Sequence, residues 1–213
     1  MTTLALETST SRGSVAIFDG EKILFNETFS AGRGHGPELF ASLERALREN
    51  LQIEQIAVGL GPGSYSGVRI AISAAIGISL GARATLLGLA SVAAFEAGEY
   101  FAVGDARRDA FYFSHVREGE VCEGPLLLDR AAIEARLRQS SLPVFASESL
   151  DLPRVELHFP SAKKLAALAI SDRGILQREQ LDPIYLRAPH ITQPTRNPST
   201  LLEMTSPPKP HRQ

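Results

Sequence analysis

Residues 55–82 read QIAVGLGPGSYSGVRIAISAAIGISLGA and change character twice within a short distance. The run 55–60 is short and apolar, which predicts a strand, and the run 67–81 is apolar nearly all round, which predicts a helix. Between them lies a glycine-rich loop, where the backbone can turn sharply and come close to a ligand or to another part of the chain. A strand, a glycine loop and a helix in this order are typical of an α/β fold with parallel strands.

The loop matches none of three well-known motifs. The dinucleotide pattern G-x-G-x-x-G fails whether it begins at Gly59 or at Gly61, because serine stands at its last position. The phosphate-binding triplet G-K-[ST] does not occur, and the nucleophile elbow G-x-S-x-G fails because Tyr65 stands at its centre. Two functions of the loop therefore stay open, which are anion binding at the helix N-terminus and simple packing of strand against helix.

Outward from this stretch, the chain opens with three predicted strands over 4–6, 14–19 and 22–29. The breaks between them are short, so the strands are expected to be antiparallel neighbours. The elements predicted next are a helix over 37–50, the strand 55–60, the helix 67–81, a strand over 85–89 and a helix over 91–98. The second half is predicted to hold strands over 100–103, 110–116, 143–146 and 155–159 and helices over 130–139 and 161–170. A meander followed by crossover units predicts a mixed sheet.

Composition narrows the class of protein. The chain has 213 residues, a formal net charge of −2 and one cysteine, Cys122. The near-neutral charge disfavours a stand-alone nucleic-acid binder, and one cysteine excludes an internal disulfide and zinc sites with two or four cysteines. The longest uncharged apolar run, 70–82, is shorter than the roughly 20 residues of a membrane span, and residues 1–10 do not resemble a signal peptide. We therefore expect a cytoplasmic protein that does not bind membranes.

The helix over 67–81 and the tip of the first strand each allow two interpretations. Small residues recur along the helix in rows, for example Ala71, Ala75 and Ser79, so the helix is either buried in its own domain or forms a helix–helix interface, and composition favours burial. The strand tip 7–10 (ETST) can hold a metal-linked phosphate or make ordinary turn hydrogen bonds, and spacing favours the turn. No metal site is expected on one helix, because Leu39 lies four residues after His35 where a second histidine would be needed.

Four segments together resemble the bacterial TsaB (YeaZ) family. They are LALETST at 4–10, GLGPGSYSGVRI at 59–70, GDARRDAFY at 104–112 and PIYLR at 183–187. The GPGSYSGVRI part is the most specific, and the others agree with it in their order along the chain. One departure is Glu7, where the family more often has Asp.

The resemblance implies an actin/Hsp70-like α/β fold (ASKHA, ribonuclease H-like) of two related domains with mixed sheets flanked by helices. We expect an N-terminal domain over 1–102, a smaller C-terminal α/β domain over 103–192 and a Pro-rich, disordered tail over 193–213.

The resemblance also implies a role in forming N6-threonylcarbamoyladenosine next to the anticodon of tRNAs that read codons beginning with A. Family members are paralogues of the catalytic subunit TsaD and act in a complex with TsaD and the ATPase TsaE. The expectation is therefore a non-catalytic subunit that binds no cofactor alone, with ATP or ADP at the junction of the complex. It pairs with TsaD, forms a homodimer when alone, and meets tRNA only indirectly or within the complex.

The family's interface is formed by the first two helices of the N-terminal domain, which here are 37–50 and 67–80. The residues expected to contact TsaD or a second copy are Leu39, Leu43, Leu47, Ala71, Ala74 and Ile78. The loop residues expected near a phosphate or nucleotide are Thr8, Ser9, Thr10, Gly61, Gly63, Ser64, Gly67 and Arg69. No catalytic residue and no metal ligand is expected.

Two enzymatic alternatives compete with this hypothesis. A small-molecule phosphotransferase of the same fold class would need an acidic base and metal-bound phosphates, and the loops offer no clear base. A glycoprotease-like peptidase would need a metal pair, a Cys–His pair or an elbow serine, and the sequence provides none of them in a recognisable pattern.

Overall fold

The computed structural model describes residues 1–32, 34–48 and 51–187, which form two mixed β-sheets flanked by helices. The strands are β1 (Thr2–Glu7), β2 (Arg12–Asp19), β3 (Lys22–Ser30), β4 (Gln55–Gly59), β5 (Thr85–Leu89), β6 (Glu99–Asp105), β7 (Ala110–Arg117), β8 (Glu120–Asp129), β9 (Val144–Ala146), β10 (Val155–Leu157) and β11 (Ile175–Arg178). The helices are α1 (Gly36–Ala46), α2 (Tyr65–Ala82), α3 (Arg130–Arg138) and α4 (Ala162–Ile170).

The first sheet has the strand order β11-β5-β4-β1-β2-β3. Strands β1, β2 and β3 form an antiparallel meander, as predicted, and Gly20 closes the turn between β2 and β3 with a φ of 57°. Strand β4 is parallel to β1 and to β5, so the predicted helical crossover between β4 and β5 is also confirmed.

The second sheet has the strand order β10-β9-β6-β7-β8. Strand β6 is antiparallel to β7 and parallel to β9, and β9 is parallel to β10. This order repeats β5-β4-β1-β2-β3 of the first sheet, strand for strand. The two halves of the chain therefore share one topology, which confirms the predicted actin/Hsp70-like fold class with mixed sheets and flanking helices.

The two halves share a core. Helix α4 follows β10 in the chain, yet it packs on β1, β2 and β4 of the first sheet. The predicted boundary between residues 102 and 103 falls inside strand β6. Strand β11, which belongs to the predicted second domain, pairs with β5 of the first sheet. The predicted domain limits 1–102 and 103–192 stay a prediction, and the predicted tail 193–213 lies outside the described residues.

Helix α1 confirms the predicted apolar stripe. Leu39, Leu43 and Ala46 are buried at positions i, i+4 and i+7. The helix begins one residue before the predicted start, with His35 at the N-cap, and ends at Ala46 rather than at residue 50.

Helix α2 begins at Tyr65, two residues earlier than predicted, because Ser64 caps it. The hydroxyl of Ser64 accepts a hydrogen bond from the backbone N–H of Gly67 at 3.1 Å. Val68 and Ala75 are among the residues that α2 buries against the first sheet. By length and composition alone α2 also meets the criteria for a membrane-spanning helix, and 33% of it is buried inside the protein.

Two glycines let the first turn of α2 pack directly on the backbone between β1 and β2. A Cβ at Gly67 would clash with the carbonyl oxygen of Thr8, and a Cβ at Gly63 would clash with that of Ser9. Two hydrogen bonds join the segments: Thr8 Oγ1 donates to Gly67 O at 2.7 Å, and the N–H of Ser64 donates to Ser9 O at 2.6 Å. The rotation of α2 about its axis is thereby fixed.

The predicted helix over 91–98 is wrong, because only one 3₁₀ turn forms, at Ser91–Ala93. The N–H of Ser91 donates a hydrogen bond to Gly61 O, and the N–H of Gly61 donates one to Ser91 Oγ. The hydroxyl of Tyr100 donates a hydrogen bond to Val92 O. Backbone groups held by neighbouring segments cannot continue a helix. Strands β8 and β11 were not predicted, because both lie at sheet edges and alternate between exposed and half-buried residues.

Gly67→Ala is expected to lower the free energy of unfolding by about 2–3 kcal/mol, because its methyl group would displace the β1–β2 loop from α2. Gly77→Ala on the same helix is the matched control, since a Cβ there meets no atom within 4 Å. It should leave stability unchanged or raise it by up to about 1 kcal/mol. Urea denaturation measures both values, and equal stability of the two variants would contradict the close packing.

Candidate functional site

A cleft of about 770 Å³ opens between the two sheets. Four places supply much of its lining: the β1–β2 loop (9–11), the β4–α2 loop with the start of α2 (63–66), the β6–β7 turn (105–107) and the segment 183–186. Residues just before α1, among them His35, and the pair Ser147 and Glu148 also line it. Each of the four places lies within, or directly beside, one of the four segments that carry the family resemblance. The structure therefore brings these distant parts of the sequence together at one site.

The first wall of the cleft is built by the β1–β2 loop and the N-terminus of α2. Ser9 and Thr10 line it from one side and Gly63 and Ser64 from the other. The N-terminus of α2 carries partial positive charge, because its first backbone N–H groups have no partner within the helix. His35 closes this wall by donating a hydrogen bond from Nε2 to the carbonyl oxygen of Thr10 at 2.6 Å.

The opposite wall is the turn between β6 and β7. Asp105 Oδ1 accepts a hydrogen bond from the N–H of Arg107 at 2.7 Å, and the Arg107 guanidinium lies 3.3 Å from Asp105 Oδ2. The turn therefore holds a local Asp–Arg pair. Glu148 supports the turn by accepting a hydrogen bond from the N–H of Asp105 at 2.7 Å. The cleft therefore contains both signs of charge.

Glu7 lies at the end of β1 but does not line the cleft. Its side chain is fully buried, Oε1 accepts a hydrogen bond from the N–H of Ser9 at 2.6 Å, and Oε2 lies against Gly59 and the hydroxyl of Ser91. Burial raises the pKa of Glu7 above its ordinary value of 4.5, and the hydrogen bond from Ser9 opposes this shift only in part. The carboxyl group is therefore held inside the protein in its neutral form over a wider pH range than usual.

The fold class implies a nucleotide with a metal ion in this cleft, and the residues present do not fit a metal-linked phosphate. Such a site needs an ionised carboxylate directed at the ligand, whereas the Glu7 carboxyl is directed into the core and desolvated. Within residues 1–32, 34–48 and 51–187, no three His, Cys, Asp or Glu side chains are grouped to hold a metal ion.

The loop residues predicted near a phosphate occupy three different environments. Ser9, Thr10, Gly63 and Ser64 line the cleft. Thr8, Gly61 and Gly67 are buried behind its wall, and Arg69 is exposed on α2 outside it. A phosphate role for any of them stays a prediction.

The predicted interface residues differ in how far they are buried, and their part in an interface stays a prediction. The side chains that are buried in the chain's own core are Leu39, Leu43, Ala71 and Ala74, while Leu47 and Ile78 are partly exposed. The four buried side chains hold α1 and α2 on the first sheet and offer little surface to another molecule. The sequence could not reveal this for α2, because a helix that is apolar on all sides has no periodicity that marks its inner face.

The outer face of α1 and α2 carries apolar side chains that the prediction missed. Phe40, Tyr65, Ile76 and Leu80 form this outer face, with exposed fractions of 52%, 55%, 41% and 79%. The two helices meet where Gly36 of α1 lies against Ile70 of α2; Phe40 follows Gly36 by one helical turn. Large exposed apolar side chains on two adjacent helices are typical of a protein–protein contact.

Comparisons with known proteins agree with this architecture. A family model described as "TsaD: tRNA N6-adenosine threonylcarbamoyltransferase" matches residues 29–136. The "tRNA threonylcarbamoyladenosine biosynthesis protein TsaB" of Haemophilus influenzae is 36% identical over 129 residues, which is 54% of this chain and 54% of that protein. The chain thus aligns with about half the length of that relative. The Escherichia coli protein of the same name is 26% identical over 221 residues, covering 88% of this chain and 95% of that protein.

A solved structure, "YeaZ from Pseudomonas aeruginosa", superposes with a TM-score of 0.71 at 22% identity, covering 87% of this chain and 100% of that one. Strand order and cleft define a two-lobed α/β protein of the actin/Hsp70-like class. Within this class, the chain belongs to the TsaB (YeaZ) family.

Glu7→Gln is expected to remove a pH dependence of stability. At a pH between 4.5 and the raised pKa of Glu7, the unfolded chain has released this proton and the folded chain retains it. The contribution of Glu7 is therefore complete below pH 4.5 and is lost as the pH rises, by up to about 1.4 kcal/mol per pH unit. Urea denaturation over about pH 5 to 8 measures the slope.

Glu21→Gln, in the exposed turn between β2 and β3, is the control and should retain the wild-type slope. If Glu7→Gln and the wild type lose stability equally as the pH rises, Glu7 is not the buried neutral group described above.

Proposed function

We propose that this protein is a non-catalytic subunit that supports a TsaD-type transferase in the formation of N6-threonylcarbamoyladenosine in tRNA. The observation that carries the proposal is the outer face of α1 and α2, an apolar helix pair without a partner in the described chain. Membership of the TsaB (YeaZ) family supports the process, since the two relatives named above are described as tRNA threonylcarbamoyladenosine biosynthesis proteins.

The state of Glu7 supports a role without chemistry of its own. A phosphotransferase on this fold needs a carboxylate that meets the metal-linked phosphate in the cleft. Here burial raises the pKa of the carboxyl group at the end of β1, which disfavours its charged form, and the group lies against Gly59 and Ser91. The remaining acids at the cleft, Asp105 and Glu148, are engaged in holding the β6–β7 turn.

The occupant proposed for the outer face is a TsaD-type chain. The transferase family model matches residues 29–136, which include both α1 and α2, so the transferase is expected to carry a related helix pair. Two related helix pairs can pack as a four-helix contact in which Leu80, Ile76 and Phe40 lie at the centre. The same surface serves a second copy of this chain when the transferase is absent. TsaE as a third component and ATP or ADP at the junction stay predictions from the family resemblance.

Leu80→Asp and Ile76→Asp are expected to weaken binding to the TsaD-type protein by at least about a hundredfold, because each leaves a desolvated charge inside an apolar contact. Both side chains are exposed in the free chain, so its melting temperature should hardly change. Calorimetric titration with the purified transferase of the same organism measures the affinity.

Leu157→Asp is the matched control, since Leu157 is 59% exposed on β10 of the second sheet. It should bind as the wild type does. Equal affinity of all three variants would show that the partner does not use the outer face.

Depletion of this protein in cells is expected to remove threonylcarbamoyladenosine from tRNA, as measured by mass spectrometry of digested nucleosides. Re-expression of the wild type or of Leu157→Asp should restore the modified nucleoside, and Leu80→Asp should not. Normal levels of the nucleoside after depletion would overturn the proposed function.

A further inference from the structure

Tyr65, Arg69 and Tyr185 form a compact group at the mouth of the cleft, here called the tyrosine–arginine platform. The rings of Tyr65 and Tyr185 stack with centroids 5.5 Å apart and an interplanar angle of 28°. The Arg69 guanidinium lies 5.2 Å from the ring centroid of Tyr65, and its Nη1 donates hydrogen bonds to the hydroxyls of Tyr65 at 3.1 Å and Tyr185 at 3.3 Å. A guanidinium held in this way loses little freedom on binding a partner, so it is preorganised.

The platform joins two parts of the chain that are far apart in sequence. Tyr185 belongs to the segment 183–187, which the function proposed above does not use. The backbone N–H of its neighbour Ile184 donates a hydrogen bond to Leu60 O at 2.8 Å, and the guanidinium of Arg187 donates one to Arg107 O at 3.3 Å. Tyr185 is therefore fixed from both sides, although its ring is 41% exposed.

Arg69 keeps an unused hydrogen-bonding edge. Nη1 serves the two tyrosine hydroxyls, while Nε and Nη2 have no acceptor among the residues that the structure describes. By contrast, two arginines on or beside α1 already have acidic partners, since Arg45 pairs with Glu27 and Arg48 with Glu44. The Nε–Nη2 edge of a guanidinium matches a carboxylate with two parallel hydrogen bonds.

The platform is continuous with the outer face. Tyr65, Arg69, Ser73, Ile76 and Leu80 follow one another on α2 at intervals of four, four, three and four residues, so they share one side of the helix. A molecule that covers Leu80 and Ile76 along the helix also reaches Arg69.

The surrounding charges favour a protein rather than a nucleic acid on this surface. Arg69 is the one charged residue of α2, and α1 carries Glu38, Glu44 and Arg45, so the two helices do not form the excess of basic residues that phosphate binding needs. Tyrosine and arginine beside exposed apolar side chains are the residue types enriched in protein interfaces.

We infer that the tyrosine–arginine platform recognises an aspartate or glutamate side chain of the partner docked on the outer face. The inference rests on the proposed function, because it assigns a specific polar contact to the same surface. Such a contact selects the partner and its orientation, while the apolar side chains supply most of the contact area.

The test compares Arg69→Gln, Arg69→Lys and Tyr185→Phe in titrations against the purified TsaD-type transferase at low and high salt. Arg69→Gln is expected to bind roughly tenfold more weakly at low salt, with a smaller difference at high salt, because a charge pair is lost. Arg69→Lys should recover less than half of this loss on a logarithmic scale, since an ammonium group lacks the planar fork. Tyr185→Phe removes only one hydroxyl and should weaken binding by about threefold.

Arg138→Gln is the matched control, because Arg138 is an exposed arginine on α3, and its affinity should equal that of the wild type. Melting curves of all variants confirm that they fold. If Arg69→Gln and Tyr185→Phe bind as the wild type while Leu80→Asp does not bind, the platform inference is wrong and the proposed function stands.

If Leu80→Asp also binds as the wild type, the proposed function fails and the inference fails with it. If Arg69→Gln instead reduces binding of the free chain to tRNA and leaves the transferase affinity unchanged, the platform recognises phosphate, which overturns the inference.

Discussion

The structure depends on the direct contact between the first turn of α2 and the β1–β2 loop. Gly63 and Gly67 remove the side chains that would hold the two segments apart, and the hydrogen bonds from Ser64 N to Ser9 O and from Thr8 Oγ1 to Gly67 O close the gap. Because this contact fixes the rotation of α2, it decides at once which residues enter the core and which form the outer face. It also places the N-terminus of α2 in the wall of the cleft. One packing constraint therefore sets the geometry of both candidate binding surfaces.

The sequence predicted the elements whose signals are local. The short breaks between the first three strands predicted the meander, and the strand over 85–89 was predicted at its observed limits. The segment 91–98 has helical composition, but Gly61 and Tyr100 take up its backbone groups, and such distant contacts leave no trace in local sequence. The inner face of α2 was likewise hidden. Ala71 and Ala74 were expected at an interface and are buried, while Ile76 and Leu80 are exposed.

The sequence identified the segments that line the candidate site, but it did not predict that they meet at one cleft. The four segments of family resemblance were all identified, and the structure brings all four to one cleft. The environment of Glu7 could not be inferred, because the same carboxylate at a strand end can project towards a ligand or fold back. Here the carboxyl folds back against Gly59, where the absence of a side chain leaves room for it. Burial then disfavours its charged form, so this carboxyl group does not fit the role of a ligand for a metal-linked phosphate.

The cleft and the outer face are not independent surfaces, because Tyr65 belongs to both. Its ring lines the cleft, stacks on Tyr185 and begins the row of α2 side chains that continues to Ile76 and Leu80. The segment that carries Tyr185 is bound to the end of β4 through Ile184 and to the β6–β7 turn through Arg187, so it connects the two lobes. A partner seated on the outer face therefore contacts the element that spans the cleft. Since the Glu7 carboxyl group does not line the cleft, the cleft residues shown to have a structural role are those that hold Tyr185 against Tyr65, beside the surface that we propose for the partner.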